Sequence, residues 1–237
     1  MVVEAVSAPV PANWARSRAA LQAYFDRTAF AQWAALTAPD AEVSRIRATV
    51  RAGRAAMRET LLSWLGADLA GRRLLDAGCG TGALAVEAAR RGAGVVAVDV
   101  AANLLALARA RAPAGLAIEW RAGDMLDPGW GHFDHVVAMD SLIHYDLQAM
   151  VAALGALGER ARRSILFTFA PRTPLLSLMH AAGTLFPRGD RAPAIRPVAG
   201  GQLIRAVSAR LPGWRVGRRR RIASGFYTSE AVELLAP

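Results

Sequence analysis

The sequence predicts an α/β protein built on a mostly parallel, seven-stranded sheet with helices on both faces. Two observations support this fold class. Five short apolar segments alternate with helical segments between residues 73 and 169, and residues 214–224 and 226–229 resemble a closing antiparallel pair. Because ligands bind beyond the carboxyl ends of strands in such sheets, we expect the functional residues at that edge.

The predicted elements follow in chain order from the apolar periodicity. Apolar runs predict strands at residues 73–77, 95–99, 117–120, 133–139 and 164–169. Helical spacing predicts helices at residues 83–91, 101–111, 147–160 and 199–211.

Three regions stand apart from this alternation. Residues 1–13 contain two prolines and no helical spacing, which predicts a loose tail. Residues 14–69 show apolar side chains three or four apart, which predicts an N-terminal helical cap. The remaining residues 70–237 form the core, and five prolines between 171 and 197 indicate a lid inserted into it.

Composition limits the classes of protein that fit. The 237 residues carry 29 basic and 19 acidic side chains, and every basic one is arginine. The one cysteine, Cys79, excludes an internal disulfide and a cysteine-built zinc site. No apolar stretch reaches the roughly 18 residues of a membrane span, and residues 1–10 lack the pattern of a secretion signal. We therefore expect a cytoplasmic protein, basic enough for peripheral contact with an anionic membrane surface.

A glycine-rich turn follows the first predicted strand. Its sequence, Asp-Ala-Gly-Cys-Gly-Thr-Gly at residues 76–82, also satisfies the dinucleotide-binding pattern, so the turn alone is ambiguous. Carboxylates at three successive strand ends favour S-adenosylmethionine instead. Asp76 is predicted near the amino-acid end of that ligand, and Asp99 near its ribose hydroxyls. Asp124 is predicted at the adenine amino group, with the Met125 thioether against the adenine face.

This set of residues resembles the class I S-adenosylmethionine-dependent methyltransferases over about residues 69–169. The resemblance implies S-adenosylmethionine as cofactor and S-adenosylhomocysteine as product. It also implies contacts to the cofactor from Gly78, Gly80, Asp99, Asp124 and Met125. Met139, at the end of the fourth strand, is expected beside the cofactor too.

The flanking segments carry a second, narrower resemblance. An aromatic cluster precedes the core at residues 24–33, Leu-Ile-His-Tyr follows the fourth strand at 142–145, and an arginine-rich segment occupies the lid. Together they resemble the magnesium-protoporphyrin IX O-methyltransferase family over residues 24–234, with Ala29 and Asp146 as departures. The resemblance implies methyl transfer to a propionate of magnesium-protoporphyrin IX. The product would be the monomethyl ester in bacteriochlorophyll biosynthesis.

A propionate acceptor sets the expected roles of the remaining site residues. A carboxylic acid with a pKa of about 4 is already ionised at neutral pH, so no strong base is required. His144 and Tyr24 are the candidates for positioning the carboxylate or touching the chelated magnesium. No spacing supports a protein-bound metal, so magnesium enters only as part of the substrate. Aromatic and aliphatic residues expected to cover the porphyrin plate are Phe30, Trp33, Met179 and Phe186.

Other partners and functions stay open from the sequence. The arginine run at residues 218–221 suggests contact with a membrane or with the porphyrin-binding subunit of magnesium chelatase, or else a solvated strand. One alternative function is methylation of a quinone precursor or another small acid. Nucleic-acid methylation is a second, but Asp-Ser-Leu-Ile at residues 140–143 replaces the expected base-modifying tetrapeptide, so we expect no nucleic-acid partner. A non-catalytic cofactor-binding regulator is a third.

Overall fold

The structure, a computed structural model, describes residues 12–28, 30–38, 44–172 and 195–237. Residues 1–11 of the expected tail and 173–194 of the expected lid lie outside this part of the chain. The prediction of a tail up to residue 13 was wrong at its end, because a helix already begins at Ala12. None of the helices in the described ranges combines the length and the apolar character needed to cross a lipid bilayer.

A seven-stranded sheet with the order β3-β2-β1-β4-β5-β7-β6 forms the centre of the protein. The strands are β1 Arg73–Ala77, β2 Gly94–Asp99, β3 Ile118–Ala122, β4 Phe133–Ala138, β5 Ala161–Phe169, β6 Arg215–Ser224 and β7 Tyr227–Leu235. In this sheet β7 runs antiparallel to both of its neighbours, and the other pairings are parallel. The predicted fold class is thereby confirmed.

The last strand, β7, is longer than the predicted segment at residues 226–229. It continues to Leu235 because it lies between β5 and β6 and is buried along most of its length. Val232 and Leu234 pack on one face of the sheet, and Ala231 packs on the other. Glu230 and Glu233 interrupt the apolar pattern of this segment, although both are buried in β7 and pair with arginines of β6. The apolar pattern therefore ends before the strand does.

Seven helices flank the sheet in the described part of the chain. They are α1 Ala12–Ala23, α2 Phe30–Thr37, α3 Arg45–Leu65, α4 Ala83–Arg90, α5 Ala102–Arg111, α6 Leu147–Gly158 and α7 Gly200–Arg210. A π-helical segment, Tyr24–Thr28, connects α1 with α2. Side chains of α1, α6 and α7 pack on one face of the sheet, and those of α3 and α4 pack on the other.

The helical region predicted at residues 14–69 divides into two parts. In α3, the side chains of Met57, Leu61 and Leu62 are fully buried against the sheet and α4. This helix therefore belongs to the core, and residues 66–72, beyond its end, are not helical. The first part, from α1 to α2, lies across the carboxyl ends of the parallel strands, and we call it the N-terminal cap.

A chain that begins at residue 44 is expected to keep a single cooperative thermal transition. Such a chain retains α3 and every strand of the sheet, and of the described residues it loses only those of the N-terminal cap. Circular dichroism at 222 nm would follow the transition. A broad, non-cooperative loss of signal would show that Trp14 and Leu21, which α1 adds to the core, are required for folding.

Candidate active site

One cavity of about 710 Å³ lies at the carboxyl ends of β1, β2 and β4, beneath the N-terminal cap. Most of the predicted site residues line it, although they come from distant parts of the sequence. These residues are Tyr24, Trp33, Asp76, Gly78, Gly80, Asp99, Asp124, Met125, Met139 and His144.

Of the described residues predicted to contact the porphyrin, Phe30 is not on this wall. Phe30 is half-buried but does not line the cavity, because the wall contributed by α2 begins one helical turn later, at Trp33. The expectation that Phe30 covers a ligand plate is therefore not supported by its position. Met179 and Phe186 lie outside the described residues.

The glycine-rich turn is held against the end of β2. The backbone N–H groups of Gly78 and Cys79 donate to the Val98 carbonyl at 2.8 and 3.0 Å. Gly78 has a φ of +85°, and a side chain there would collide with Ser141. Gly80 has a φ of +53° and no atom within 4 Å of the position of a Cβ, so the backbone there borders open cavity. A ligand can approach this turn closely.

Asp76 has an open hydrogen-bonding position in the cavity wall. The residue is 2% exposed, and its Oδ2 atom is buried with no hydrogen-bond partner in the described part of the protein. Burial, together with the neighbouring Asp99 carboxylate, raises the pKa of Asp76 from 3.8 to about 7. A buried carboxylate with an open oxygen is suited to a cationic ligand group, which would restore its ordinary ionisation.

Asp99 closes β2 and accepts hydrogen bonds on both carboxylate oxygens. Gly80 N donates to Oδ2 at 2.7 Å and Ala101 N donates to Oδ1 at 2.9 Å. Burial raises the pKa of Asp99, and these backbone donors oppose the rise. Each carboxylate oxygen accepts more than one hydrogen bond, so a diol could bind to the side that lines the cavity.

Asp124 has partners that the sequence did not indicate. Trp14 Nε1 and Arg18 Nη1 both donate to its Oδ2 atom at 3.0 Å, and Leu126 N donates to Oδ1 at 3.0 Å. The carboxylate expected at an adenine amino group is therefore also the attachment point of α1. Trp14 additionally stacks on Tyr145, with ring centroids 4.0 Å apart.

A buried arginine supports the same loop from its other side. Arg160 donates to the carbonyl oxygens of Met125 at 2.9 Å and Asp127 at 2.6 Å. Burial lowers the pKa of this guanidinium, and the nearby carboxylates oppose that change. The loop that carries Asp124 and Met125 is thus fixed by α1 on one side and by Arg160 on the other.

The Phe25 ring contacts three of the predicted site residues. Its ring lies 5.2 Å from Tyr24, 5.6 Å from Trp33 and 6.2 Å from His144, measured between centroids. The π-helical segment that carries Tyr24 and Phe25 is attached to α5, where Asn103 N donates to the Asp26 carboxylate at 3.2 Å. The aromatic cluster therefore joins the N-terminal cap to the turn after β4.

Asp140 and Arg54 also line the cavity, and sequence reasoning missed both as site residues. Asp140 lies two residues beyond the end of β4, near the strand-end positions that identified the other carboxylates. Arg54 Nη1 pairs with Asp140 Oδ2 at 2.6 Å, and Tyr227 donates to Asp140 as well. The spacing of three arginines in α3 at residues 51, 54 and 58 was the available signal for Arg54.

The described residues contain no group of three histidine, cysteine or acidic side chains able to hold a metal ion. Cys79 lies in the cavity wall, and burial, with Asp76 and Asp99 adding to it, raises the pKa of its thiol. A thiol with a raised pKa is a poor nucleophile at neutral pH.

This fold and cavity define a class I S-adenosylmethionine-dependent methyltransferase. A family model described as a methyltransferase domain matches residues 74–162, which include β1 to β4 and the glycine-rich turn. A second family model, described as the magnesium-protoporphyrin IX methyltransferase C-terminus, matches residues 138–236.

Individual relatives narrow the class. The magnesium-protoporphyrin O-methyltransferase of Rhodobacter capsulatus is 46% identical over 94% of this chain and 99% of its own length. The chloroplastic magnesium protoporphyrin IX methyltransferase of Arabidopsis thaliana is 32% identical over 89% of this chain and 68% of its own length. The crystal structure of magnesium protoporphyrin IX methyltransferase from Synechocystis PCC 6803 with bound SAH superposes with a TM-score of 0.82 at 26% identity, covering 92% and 99% of the two chains. The chain belongs to the magnesium-protoporphyrin IX methyltransferase family.

Proposed function

We propose that this chain transfers the methyl group of S-adenosylmethionine to one propionate carboxylate of magnesium-protoporphyrin IX, giving the monomethyl ester in bacteriochlorophyll biosynthesis. The observation that carries the proposal is a single cavity with two chemically different ends. One end presents the Asp76 and Asp99 carboxylates beside the glycine-rich turn, and the other presents the aromatic cluster with His144. Relatives named for this reaction, matched over most of the chain, support the same assignment.

The carboxylate end fits the cofactor. We assign Asp76 to the amino group of the cofactor and Asp99 to its ribose hydroxyls. Gly78 and Gly80 are assigned to backbone contact with the cofactor, because they let it lie close to the turn. Met125 and Met139 are assigned to its apolar contacts, and Asp124 to both the adenine end and the attachment of α1. When bound, the cofactor supplies an electrophilic methyl group on a sulfonium centre.

The aromatic end fits the acceptor. An ionised propionate needs alignment and desolvation rather than a base, because its own oxygen is the nucleophile. We assign His144 and Tyr24 to orienting that carboxylate or contacting the chelated magnesium. Trp33 and Leu36 of α2, together with Val50 of α3, provide an apolar wall for the flat ring. Met179 and Phe186 remain proposed contacts on the strength of the sequence alone.

Methyl transfer to a panel of acceptors tests the proposal. The full-length protein would be incubated with labelled S-adenosylmethionine and magnesium-protoporphyrin IX, metal-free protoporphyrin IX or a dihydroxybenzoate. We expect label in the porphyrin, extractable as a monoester. Transfer to the dihydroxybenzoate alone would instead support the small-acid methyltransferase alternative.

Asp99→Ala is expected to weaken S-adenosylmethionine binding by about 2 kcal/mol, close to 30-fold, because charge-assisted hydrogen bonds to the ribose are lost. Titration calorimetry on the folded variant measures this change. Asp68→Ala, which removes an exposed carboxylate outside the cavity, is the matched control and should bind normally. Unchanged affinity in Asp99→Ala would contradict the role assigned to Asp99.

We also propose a cytoplasmic location with peripheral contact to the inner or photosynthetic membrane, and contact with the porphyrin-binding chelatase subunit. The exposed edge strand β6 supports these proposals, although Arg218 pairs with Glu233, and Arg219 and Arg221 pair with Glu230. The two carboxylates offset only part of the positive charge of the strand. Co-sedimentation with anionic vesicles at low salt tests the membrane contact. Pull-down with the purified chelatase subunit tests the contact with that protein.

A further inference from the structure

Asp140 has an unusual backbone conformation at the acceptor side of the cavity. Its φ of +54° makes it the one non-glycine residue with positive φ among residues 12–28, 30–38, 44–172 and 195–237. Its side chain is 5% exposed, so the surrounding contacts fix its direction. Backbone strain of this kind persists where neighbouring groups hold the residue in place, and it is concentrated at functional sites.

Side chains from two neighbouring strands hold the Asp140 carboxylate. Thr168 at the end of β5 donates to Oδ1 at 3.2 Å, and Tyr227 at the start of β7 donates to the same atom at 3.1 Å. Ser229, also in β7, lies 3.4 Å from Oδ1. These hydroxyl donors stabilise the buried carboxylate and fix the direction in which Oδ2 points.

Oδ2 fixes one edge of the Arg54 guanidinium, which comes from α3. The ion pair has an Nη1–Oδ2 distance of 2.6 Å, and the Arg54 side chain is 25% exposed and lines the cavity. Its Cζ atom lies 4.8 Å from the centroid of the Trp33 ring, so that ring restricts the guanidinium from a second direction. The group has five N–H donors in a planar fork, and the contact through Nη1 leaves donors for a ligand carboxylate.

We propose that Arg54, positioned by Asp140 and Trp33, binds the propionate of the substrate that is not methylated. This inference rests on the proposed function, because magnesium-protoporphyrin IX carries two propionates and only one becomes the ester. A guanidinium paired with the attacking oxygen would withdraw charge from the nucleophile, so its favourable partner is the second carboxylate. Phe25 contacts both Trp33 and His144, and it therefore links the Arg54 position to the position assigned to the reacting carboxylate.

Three porphyrins separate this role from general binding. The probes are magnesium-protoporphyrin IX, its monomethyl ester as made by the enzyme, and its dimethyl ester, each titrated by tryptophan fluorescence quenching with S-adenosylhomocysteine present. In the wild-type protein we expect the diacid and the monoester to bind comparably, because both keep the second propionate. The diester should bind about 10- to 100-fold more weakly, the range for losing a hydrogen-bonded charged pair.

Arg54→Met tests the residue itself. Methionine keeps an apolar stem beside Trp33 and removes the guanidinium, so we expect the variant to bind all three porphyrins with nearly equal affinity. KM for the diacid should rise by the same 10- to 100-fold, with a smaller change in kcat. Arg47→Met, an exposed arginine of the same helix outside the cavity, is the matched control and should behave as wild type.

Asp140→Asn tests the positioning role. It is expected to lose discrimination between monoester and diester while S-adenosylmethionine affinity stays within twofold, which general damage to the cavity would not produce. If both Arg54→Met and Arg54→Lys still bound the monoester more tightly than the diester by the wild-type factor, the inference would be overturned and the proposed function would stay intact. A wild-type monoester affinity as weak as that of the diester would assign Arg54 to the reacting carboxylate and overturn the inference as well. Wild-type binding of none of the porphyrins would overturn the proposed function itself.

Discussion

Replacing His144 by phenylalanine is expected to lower turnover of magnesium-protoporphyrin by about 10² or more, with S-adenosylmethionine affinity unchanged. His144 lies in the short helical turn after β4, and its ring packs edge-on against Phe25. Phenylalanine preserves that packing and removes the polar ring atoms that would orient the acceptor. His132→Phe, at an exposed position outside the cavity, is the matched control.

Two comparisons distinguish the causes of the lost turnover: the pH profile, and activity with the magnesium porphyrin against the metal-free porphyrin. If His144 were a general base, activity would fall steeply below pH 6.5, the ordinary imidazole pKa. We expect a shallower profile, because the propionate is already ionised. A wild-type preference for the magnesium porphyrin over the metal-free ring that disappears in His144→Phe would assign the histidine to the metal. An equal loss with both rings would assign it to the carboxylate, and full activity with both would exclude either role.

Asp76→Asn is expected to change cofactor affinity and folding stability in opposite directions. The substitution removes the proposed charge partner of the cofactor amino group from a buried site, which should weaken S-adenosylmethionine binding by about 3 kcal/mol, more than 100-fold. The cofactor-free protein should become more stable at pH 8, because burying an ionised Asp76 without a counter-ion is unfavourable. Differential scanning calorimetry and binding titrations measure the two effects.

The direction of the pH dependence follows from the raised pKa. Folding shifts the pKa of Asp76 from 3.8 to about 7, so between these values the folded state binds more protons than the unfolded state. The contribution of Asp76 to the free energy of unfolding therefore decreases as pH rises from about 4 to 7, and it stays low above pH 7. Asp76→Asn should remove this part of the pH dependence. It should also abolish a fall in cofactor affinity as pH drops below 7, where wild-type Asp76 is protonated.

Asp134, at the other end of the sheet, has a lowered pKa, so Asp134→Asn is expected to change stability in the direction opposite to Asp76→Asn. The backbone N–H of Arg73 donates to this carboxylate at 2.9 Å and, with nearby arginines, lowers its pKa. The ionised form is thus favoured by folding, so the substitution should reduce stability at neutral pH. Stabilisation in both variants would indicate a general effect of removing negative charge rather than the environment of Asp76.

The sequence was informative wherever the relevant geometry is local. Asp76 and Asp99 lie at the carboxyl ends of strands whose apolar pattern is clear. Parallel strands place these ends together, so the meeting of the two residues at one cavity could be predicted. Asp140 was missed although the same rule applies to it. The hydroxyl donors that hold Asp140 come from β5 and β7, and their meeting with it depends on strand pairing that the sequence does not show.

Contacts between distant segments could not be predicted in this way. Trp14 and Arg18 contact Asp124 although they lie more than 100 residues away in the sequence, and no periodicity in α1 indicates which strand end it will cover. The assignment of α3 to the core has a similar cause. Its apolar spacing predicts a buried face, but that face fits a cap as well as a sheet until the position of β7 is known.

The single cavity beneath the N-terminal cap has a kinetic consequence. Its cofactor and acceptor ends are continuous, and its one thiol, Cys79 in the described wall, has a raised pKa that disfavours a methylated enzyme intermediate. We therefore expect a direct displacement within a ternary complex. Double-reciprocal plots at several cofactor concentrations should intersect rather than run parallel, and a chiral methyl group should arrive on the ester with inverted configuration.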